Sequence, residues 1–426
     1  MNFSPYVGFL LFRILIPGLI LVFEATLYLR FIRWAKVVHP ERRWVRTTAR
    51  ILFVLFGVAL LAVLWLRPRF GDITPSFRFG LVYPFYIWHG SCLFIGLLLA
   101  IASLIKLPFK VVLWLAKLLP PVRRTWHKFI DRPGVARFDA SRRRFLQRST
   151  AGLAVLSFGG TVYGAYAGRS SYDITEATFP IAGLAPQLDG FTIALISDIH
   201  SSLFMTRDEM DEYVRIVNSL GADMVVVPGD FVNSNTAEVY PFAESFSGLH
   251  APQGVYGVMG NHDFYTQEPD VVAREVNACG VRVLRDEGLM IRKDGAQLYL
   301  AGIDDTGGGD SARGKMRTAL RTAPALTPRV LLCHRPYFVR QAAEEVIDVV
   351  LCGHTHGGQV VLGRFGGVAI TPASLVSPYV AGKYRFGPTH MYVSRGIGTV
   401  GLPLRINCPP EITRIILRTG PVKTPS

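Results

Sequence analysis

The sequence predicts an all-α membrane region followed by an α/β domain, on three observations. Half of the 426 residues are apolar and only 18% are charged, which argues against a disordered chain and against an ordinary soluble one. Long apolar stretches with few charges are confined to roughly the first 170 residues. From about Phe179 onward, short apolar runs alternate with amphipathic segments, which is typical of buried strands and the helices that cover them.

The positive charge of the chain belongs to its hydrophobic part. The formal net charge is +15, and residues 1–150 contain 23 Lys and Arg against five Asp and Glu. The rest of the chain contains 23 basic and 26 acidic residues. Basic residues that flank apolar stretches indicate membrane topology, whereas nucleic-acid binding places them on a folded polar face. We therefore expect a membrane protein with no nucleic-acid partner.

Four apolar stretches predict transmembrane helices. The loops between them alternate in basic charge, with seven Lys or Arg in residues 30–50, three in 67–80 and twelve in 106–148. Because basic loops favour the cytoplasmic side, four spans with both termini outside satisfy every loop. This topology places the carboxy-terminal domain outside the cytoplasmic membrane. The four predicted spans are 7–29, 51–66, 79–105 and 149–168.

We divide the chain into a polytopic membrane region of about three spans (1–120), a basic segment with the fourth span (121–170) and an extracytoplasmic domain (171–426). In the second part, Ser141-Arg142-Arg143-Arg144-Phe145-Leu146-Gln147 resembles a twin-arginine export signal, with Gln147 where Lys is common. That resemblance makes the twin-arginine machinery an expected partner. The alternative is an ordinary basic cluster beside a span, served by general export. Both interpretations place the next domain outside.

Residues with metal-binding chemistry follow five of the apolar runs. Ligands of α/β sheets bind at the carboxyl ends of strands, so we expect these side chains to converge. Carboxylates and imidazoles brought together from separate strands suit Mn, Fe or Zn ions better than Ca or Mg. The predicted strands and the residues that follow them are 191–196 with Asp198 and His200, 224–228 with Asp230, 254–259 with Asn261, His262 and Asp263, 330–333 with His334, and 349–352 with His354 and His356.

The spacing of residues within two of these motifs predicts that paired side chains point to the same side of the backbone. Asp198 and His200 are two residues apart just after a strand. In extended backbone both side chains would point to one side and could bind one metal ion. His354 and His356 have the same spacing and lie among three glycines, which permit tight turns and close backbone approach.

In sequence order, the motifs D-x-H, GD, GNHD, an isolated H and GHTH resemble those of the calcineurin-like metallophosphoesterase superfamily, over roughly residues 185–410. With the twin-arginine-like segment before them, they look like a membrane-anchored phosphodiesterase branch of that superfamily. The resemblance implies a four-layer α/β/β/α sandwich of two mixed sheets. It also implies two divalent transition-metal ions. Its ligand assignment is Asp198, His200 and His356 for one ion, Asn261, His334 and His354 for the other, and Asp230 as the bridge.

The same resemblance implies hydrolysis of a phosphate ester, with a diester favoured, by a hydroxide that bridges the two ions. His262 would be the catalytic histidine, and Asp263 would orient its ring. About 20 residues separate the fourth predicted span from the first predicted strand of the motif region, so we expect a membrane-proximal or lipid-linked substrate. The alternative function is a non-catalytic binding or scaffolding module attached to a membrane sensor or transporter region.

Two further residues are predicted to bind substrate. Asn233 follows Asp230 closely enough to line the site, although asparagine after a strand is also common in turns. Arg395 could contact a phosphate or a head group. Asp304 and Asp305 precede three glycines, and we interpret them as a turn that shapes one wall of the cleft, with a metal-binding loop as the alternative.

Overall fold

The computed structural model describes residues 5–66, 73–130, 132–366 and 368–420. By their internal contacts they form two compact units, Met1–Tyr163 and Gly164–Ser426. Each unit is described by itself below.

The amino-terminal unit is helical, as the apolar stretches predict. Within the described residues, three segments are long and apolar enough to cross a membrane, namely Ile14–Val38, Arg43–Val63 and Pro75–Ala116. They overlap the first three predicted spans and confirm helices of spanning length there. The helices are α1 (Pro5–Val38), α2 (Arg43–Leu66), α3 (Pro75–Phe77), α4 (Tyr83–Ala116), α5 (Pro120–Ile130) and α6 (Pro133–Tyr166), with a π-helical turn at Arg78–Val82 between α3 and α4.

The fourth predicted span, 149–168, falls mainly on the carboxy-terminal half of α6. Among the described helices, α6 is not one of the three that are apolar enough to cross a membrane. Its last turns contain Gly152, Gly159 and Gly160 together with serine and threonine, which lower their mean hydropathy. The crossing by α6, and with it the extracytoplasmic side of the next unit, therefore stays a prediction.

The carboxy-terminal unit alternates strands and helices. Its helices are α7 (Arg207–Ser219), α8 (Val239–Phe246), α9 (Asn261–Tyr265), α10 (Pro269–Ala278), α11 (Gly309–Ala319) and α12 (Val339–Glu344). Its strands are β1 (Asp173–Ala182), β2 (Thr192–Leu195), β3 (Met224–Pro228), β4 (Val255–Val258), β5 (Arg282–Val283), β6 (Glu287–Lys293), β7 (Ala296–Ile303), β8 (Arg329–Cys333), β9 (Val349–Cys352), β10 (Gly363–Phe365), β11 (Val368–Ile370), β12 (Gly382–Phe386), β13 (Thr389–Val393) and β14 (Glu411–Gly420).

In the part of the chain that the structure describes, twelve of these strands form two six-stranded mixed sheets. The first sheet has the order β1-β14-β2-β3-β4-β5, in which only the β14–β2 pair is antiparallel. The second has the order β12-β13-β9-β8-β7-β6, in which the pairs at the two edges are antiparallel. The remaining strands, β10 and β11, form a separate hairpin. Mixed sheets agree with the predicted fold class.

Alternation of side chains along the central strands produces four layers. In β3, Val225 belongs to the core under α7, α8 and α10, whereas Val226 belongs to the core between the two sheets. In β9, Leu351 faces the core between the sheets and Val350 faces the core under α11 and α12. Because such strands are buried on both faces, they are apolar throughout. The predicted α/β/β/α sandwich is therefore present.

Candidate metal centre

The carboxyl ends of five central strands converge, and the motif residues that follow them meet there. Strands β2, β3 and β4 come from the first sheet, and β8 and β9 come from the second. All of these motif side chains are buried except His262 and His354, which are half-buried. They are Asp198 and His200 after β2, Asp230 after β3, Asn261, His262 and Asp263 in α9 after β4, His334 after β8, and His354 and His356 after β9.

We name Asp198, His200 and His356, with Asp230, the first ligand group. One ligand atom from each of the four lies within 4.8 Å of the others. Nε2 of His200 lies 3.0 Å from Nε2 of His356 and 3.4 Å from Oδ2 of Asp230. Nε2 of His356 lies 3.7 Å from Oδ1 of Asp198. Two carboxylates and two imidazoles therefore surround one point.

We name Asn261, His334 and His354, again with Asp230, the second ligand group. Nε2 of His334 is its centre, 3.1 Å from Oδ1 of Asn261 and 3.1 Å from Nδ1 of His354. The same Nε2 lies 3.2 Å from Oδ2 of Asp230. One carboxylate oxygen of Asp230 is therefore adjacent to both ligand groups.

The residues of the first ligand group fit a divalent ion by their chemistry. Oδ2 of Asp198 is buried and has no hydrogen-bond partner among the described residues. The facing nitrogens of His200 and His356 are the kind of donor atoms that a transition metal accepts. A buried anionic oxygen without a partner is costly unless a cation compensates it. Mixed carboxylate and imidazole donors suit Mn, Fe or Zn.

The electrostatics of the protein alone lower the pKa of three imidazoles, those of His200, His354 and His356, and so keep them neutral. Burial holds the pKa of His200 well below its usual value and lowers the pKa of His356 to about 3. Neutral imidazole is the form that binds a metal ion. Burial would also lower the pKa of His334, but the nearby carboxylates, that of Asp230 foremost, together outweigh burial and raise that pKa to about 10. Without a cation between the groups, His334 and Asp230 thus act as an ion pair.

The backbone at the ligands differs from the extended geometry predicted for the D-x-H motif. Asp198 and His200 have φ angles of 53° and 48°, in the left-handed region that residues other than glycine rarely occupy. Such a conformation costs free energy and persists only where the surrounding structure imposes it. The residues still share one metal-ion position, but a left-handed turn directs them there. The same region contains Asp230 (57°), His354 (75°) and His356 (52°).

Two glycines are required because the backbone passes very close to the ligand carboxylates. A Cβ atom at Gly260 would lie 2.2 Å from Oδ1 of Asp230. A Cβ atom at Gly353 would lie 2.2 Å from Oδ2 of Asp198. Any side chain at either position would therefore displace a ligand oxygen.

His262 is held beside both ligand groups by its backbone and its ring. Its N–H donates to Oδ1 of Asp230 at 2.8 Å, and its ring lies edge-on to the ring of His200, with 4.5 Å between centroids. Its Nδ1 lies 2.5 Å from the carbonyl oxygen of Asn233, which therefore accepts a proton held there. This contact fixes the ring orientation and leaves Nε2 as the atom at which a proton can be exchanged with a substrate.

Asp263 is predicted to orient the ring of His262, and in the structure the carbonyl oxygen of Asn233 contacts that ring at Nδ1. The Asp263 carboxylate instead accepts three backbone N–H groups, from Gly260 at 2.8 Å, Asp230 at 3.0 Å and Val232 at 3.1 Å. These bonds join the loops that follow β3 and β4. Asp263 therefore positions Asp230 and the start of α9, and its role toward the imidazole stays a prediction.

Sequence reasoning missed Glu238, which builds the loop that holds His262. Oε2 of Glu238 accepts the backbone N–H groups of Asn233 at 2.9 Å, Ser234 at 2.8 Å and Asn235 at 3.0 Å. Burial raises the pKa of this carboxyl group. The available signal was the Asn235-x-x-Glu238 spacing of a capping box. Asn233 contacts His262 through its backbone carbonyl, and its predicted contact with substrate stays a prediction.

Arg395 is predicted to contact substrate, and in the structure its guanidinium forms ion pairs within the protein. Nη2 of Arg395 lies 3.0 Å from Asp173 and 3.1 Å from Glu411, and the residue is 9% exposed. Arg405, which the sequence did not single out, is fully buried beside it. Its guanidinium donates to the Cys408 sulfur and to the backbone carbonyls of Arg395, Gly396, Gly398, His356 and Cys408. Arg405 thus ties the loop after β13 to the loop that carries His356.

The second ligand group is bordered by an ion pair and two tyrosines. Arg335 donates two hydrogen bonds to the carboxylate of Asp305, at 2.7 and 3.0 Å. The ring of Tyr337 lies edge-on to His354 and that of Tyr265 edge-on to His262, with centroid distances of 5.7 and 4.9 Å. This arrangement agrees with the interpretation of 304–305 as a wall of the cleft.

Several known proteins are similar in sequence to the region that contains the two ligand groups. The model of the calcineurin-like phosphoesterase family matches residues 191–358, which contain every member of both ligand groups. A Bacillus subtilis protein, the uncharacterized metallophosphoesterase YkuE, is 32% identical over 289 residues, covering 66% of this chain and 98% of that protein. The Escherichia coli phosphodiesterase YaeI is 29% identical over 282 residues, covering 65% of this chain and 99% of that protein.

A Bos taurus transmembrane protein with a metallophosphoesterase domain is 31% identical over 265 residues, covering 58% of this chain and 57% of that protein. The matched region of this chain thus spans less than two thirds of the length of that relative. YkuE, in contrast, is covered almost completely. The matched family model, the coverage of YkuE and the metal-binding geometry lead to one conclusion: the chain belongs to the calcineurin-like phosphoesterase family.

Proposed function

We propose that the carboxy-terminal unit is a dinuclear-metal phosphodiesterase with His262 as its catalytic histidine. The observation that carries this proposal is the position of Asp230. Its Oδ2 lies 3.4 Å from Nε2 of His200 and 3.2 Å from Nε2 of His334. A carboxylate oxygen next to two ligand groups is what a pair of ions about 3.5–4 Å apart requires. The donor set favours Mn, Fe or Zn for both ions.

In this proposal, two bound ions would supply the positive charge that holds a phosphate and activates a water molecule for attack. The two ligand groups would hold the ions, and bulk water is excluded around Asp198 and His200, which are fully buried. His262, with Nδ1 held at the Asn233 carbonyl, donates a proton from Nε2 to the leaving alkoxide. The preference for diesters rests on the similarity to YaeI.

The test is hydrolysis by the full chain in detergent, first stripped of metal by a chelator and then reloaded with Mn²⁺. We expect turnover of bis(p-nitrophenyl) phosphate to depend on the added metal and to exceed turnover of p-nitrophenyl phosphate. No turnover by protein that binds two ions per chain would overturn the proposal and favour a binding or scaffolding module.

We further propose that this unit lies outside the cytoplasmic membrane and that residues 141–147 act as a twin-arginine-type signal. The twelve basic residues of 106–148 support a cytoplasmic position for that segment, and α6 then crosses outward. If α6 does not cross, the same charge rule places the unit in the cytoplasm.

A reporter enzyme that is active only outside the membrane, fused to the carboxyl end, tests this topology. We expect activity with the unchanged chain and its loss when Arg142 and Arg143 are both replaced by Lys. Activity that persists in the double variant would overturn the twin-arginine signal, and activity of a cytoplasm-only reporter would overturn the topology.

A further inference from the structure

Residues 362–366 and 368–376, which we name the apolar hairpin, expose several large apolar side chains within a short stretch of the chain. The segment contains β10, β11 and the turn Pro372–Leu375. Leu362 is 71% exposed, Phe365 82%, Ile370 53%, Leu375 88% and Val376 78%. Such a concentration of exposed apolar groups marks a binding surface in a soluble environment.

The charge of the surrounding sequence indicates what this surface binds. Between Asp348 and Glu411 the chain contains no Asp or Glu. The same segment contains five Lys and Arg, of which Arg364, Lys383 and Arg385 are exposed. Apolar side chains accompanied by basic and no acidic residues are typical of segments that insert into the interface of an anionic bilayer.

The apolar hairpin is connected directly to the first ligand group. The turn His356–Gly358 runs through Val360 into the hairpin, and Thr371 donates a hydrogen bond to the carbonyl of Gly358 at 3.3 Å. A Cβ atom at Gly358 would lie 1.9 Å from Oγ1 of Thr371, so the two segments are in close contact. A bilayer that binds the hairpin is therefore brought next to a ligand of the candidate metal centre.

We propose that the apolar hairpin inserts into an anionic lipid surface and thereby presents a lipid-borne phosphodiester to the candidate metal centre. The substrate half of this inference rests on the proposed function. A bilayer is within reach, because the same chain carries three helices apolar enough to cross one. The apolar side chains enter the interface, the basic ones meet lipid phosphates, and the phosphoester to be cleaved stays at the depth of the lipid head groups.

Insertion is tested with the full chain in vesicles of phosphatidylcholine and phosphatidylglycerol. A fluorescent label is attached to Leu375→Cys or, as a control, to Leu326→Cys, an exposed leucine (96%) outside the hairpin. Among the described residues, Cys279 is the only native cysteine that is not buried. Both proteins therefore also carry Cys279→Ser, so that the label attaches to the introduced cysteine. We expect spin-labelled phospholipids to quench the label at 375 and not the label at 326. Equal quenching at both positions, or quenching at neither, would overturn insertion, as would burial of the 375 label by self-association without lipid.

Presentation of substrate is tested by the double variant Phe365→Ser with Leu375→Ser. We expect kcat/KM for a diacyl lipid phosphodiester in these vesicles to fall at least about tenfold, because two anchoring side chains are lost. The kcat/KM for soluble bis(p-nitrophenyl) phosphate stays the same, and Leu326→Ser changes neither value. Equal loss on both substrates, or loss on neither, would overturn the inference. If the unchanged chain cleaves no soluble diester, the proposed function fails, whereas the quenching result still decides insertion.

Discussion

The two ligand groups around Asp230 differ in charge and in burial. The first contains a second carboxylate, Asp198, and all of its members are buried. The second contains the amide of Asn261 in place of that carboxylate, and its His354 is half-buried. Ligand charge and rigidity both increase affinity for a divalent cation. If each group binds an ion, the first group would hold it more tightly and the second would leave it more accessible, with Asp230 adjacent to both.

The largest effect is expected from replacing Asp230, the carboxylate that the two ligand groups share. Asp230→Asn should lower kcat/KM by at least about 10⁴-fold, because it weakens the binding of both ions. Metal content and hydrolysis of bis(p-nitrophenyl) phosphate measure it. Asp223→Asn is the matched control, since Asp223 lies just before β3, at the opposite end of the same strand. Loss of only one ion from Asp230→Asn would contradict a shared carboxylate.

The second largest effect is expected from a variant of His262 that leaves both ligand groups intact. His262→Gln should reduce kcat by roughly 10²–10⁴-fold, the range for general acid–base catalysis, with two ions still bound. Steady-state kinetics and metal analysis of one sample measure both quantities. His250→Gln, at an exposed histidine, serves as the control. Loss of metal from His262→Gln would show that this histidine is a ligand.

The predicted difference in metal affinity between the two ligand groups is tested by titrating metal-free protein with Mn²⁺. We expect the first equivalent to bind at least about tenfold more tightly than the second, because the first group has one more carboxylate. His354→Ala should abolish the weaker step and His356→Ala should weaken the tighter one. Two steps of equal affinity, or the opposite assignment in the variants, would contradict the difference between the groups.

The smallest effect concerns the loop that holds His262. Glu238→Ala should lower kcat by roughly 10- to 10²-fold, because the Asn233 carbonyl that orients the imidazole loses its support. Glu238→Gln keeps an oxygen acceptor and should keep most of the activity. The pH profile of kcat distinguishes a positioning role from simple instability. An unchanged profile and equal losses in both variants would show that Glu238 acts only on stability.

The sequence predicts which residues meet, but not the backbone that brings them together. Asp230 and His334 are identifiable because each ends an apolar run that is itself recognisable as a buried strand. The left-handed turn at Asp198 and His200 is not identifiable in this way. It depends on contacts with residues such as Gly353 and Gly396, which come from remote parts of the chain.

Three further features of the structure lie beyond the reach of local sequence patterns. Arg395 pairs with Asp173, which is 222 positions away, so no local pattern reveals that its charge is already compensated. The group that orients His262 is a backbone carbonyl, which no residue type encodes. Strand β1 escaped prediction although its alternating burial is regular; it begins at Asp173, shortly after α6 ends at Tyr166. It is completed only by pairing with β14 at the other end of the chain.

The central claim is that one carboxylate joins two ions, and anomalous diffraction from Mn²⁺-loaded crystals of the full chain tests it most directly. The account predicts two anomalous peaks about 3.5–4 Å apart, one on each side of the Asp230 carboxylate. A single peak, or two peaks that do not share Asp230, would contradict it.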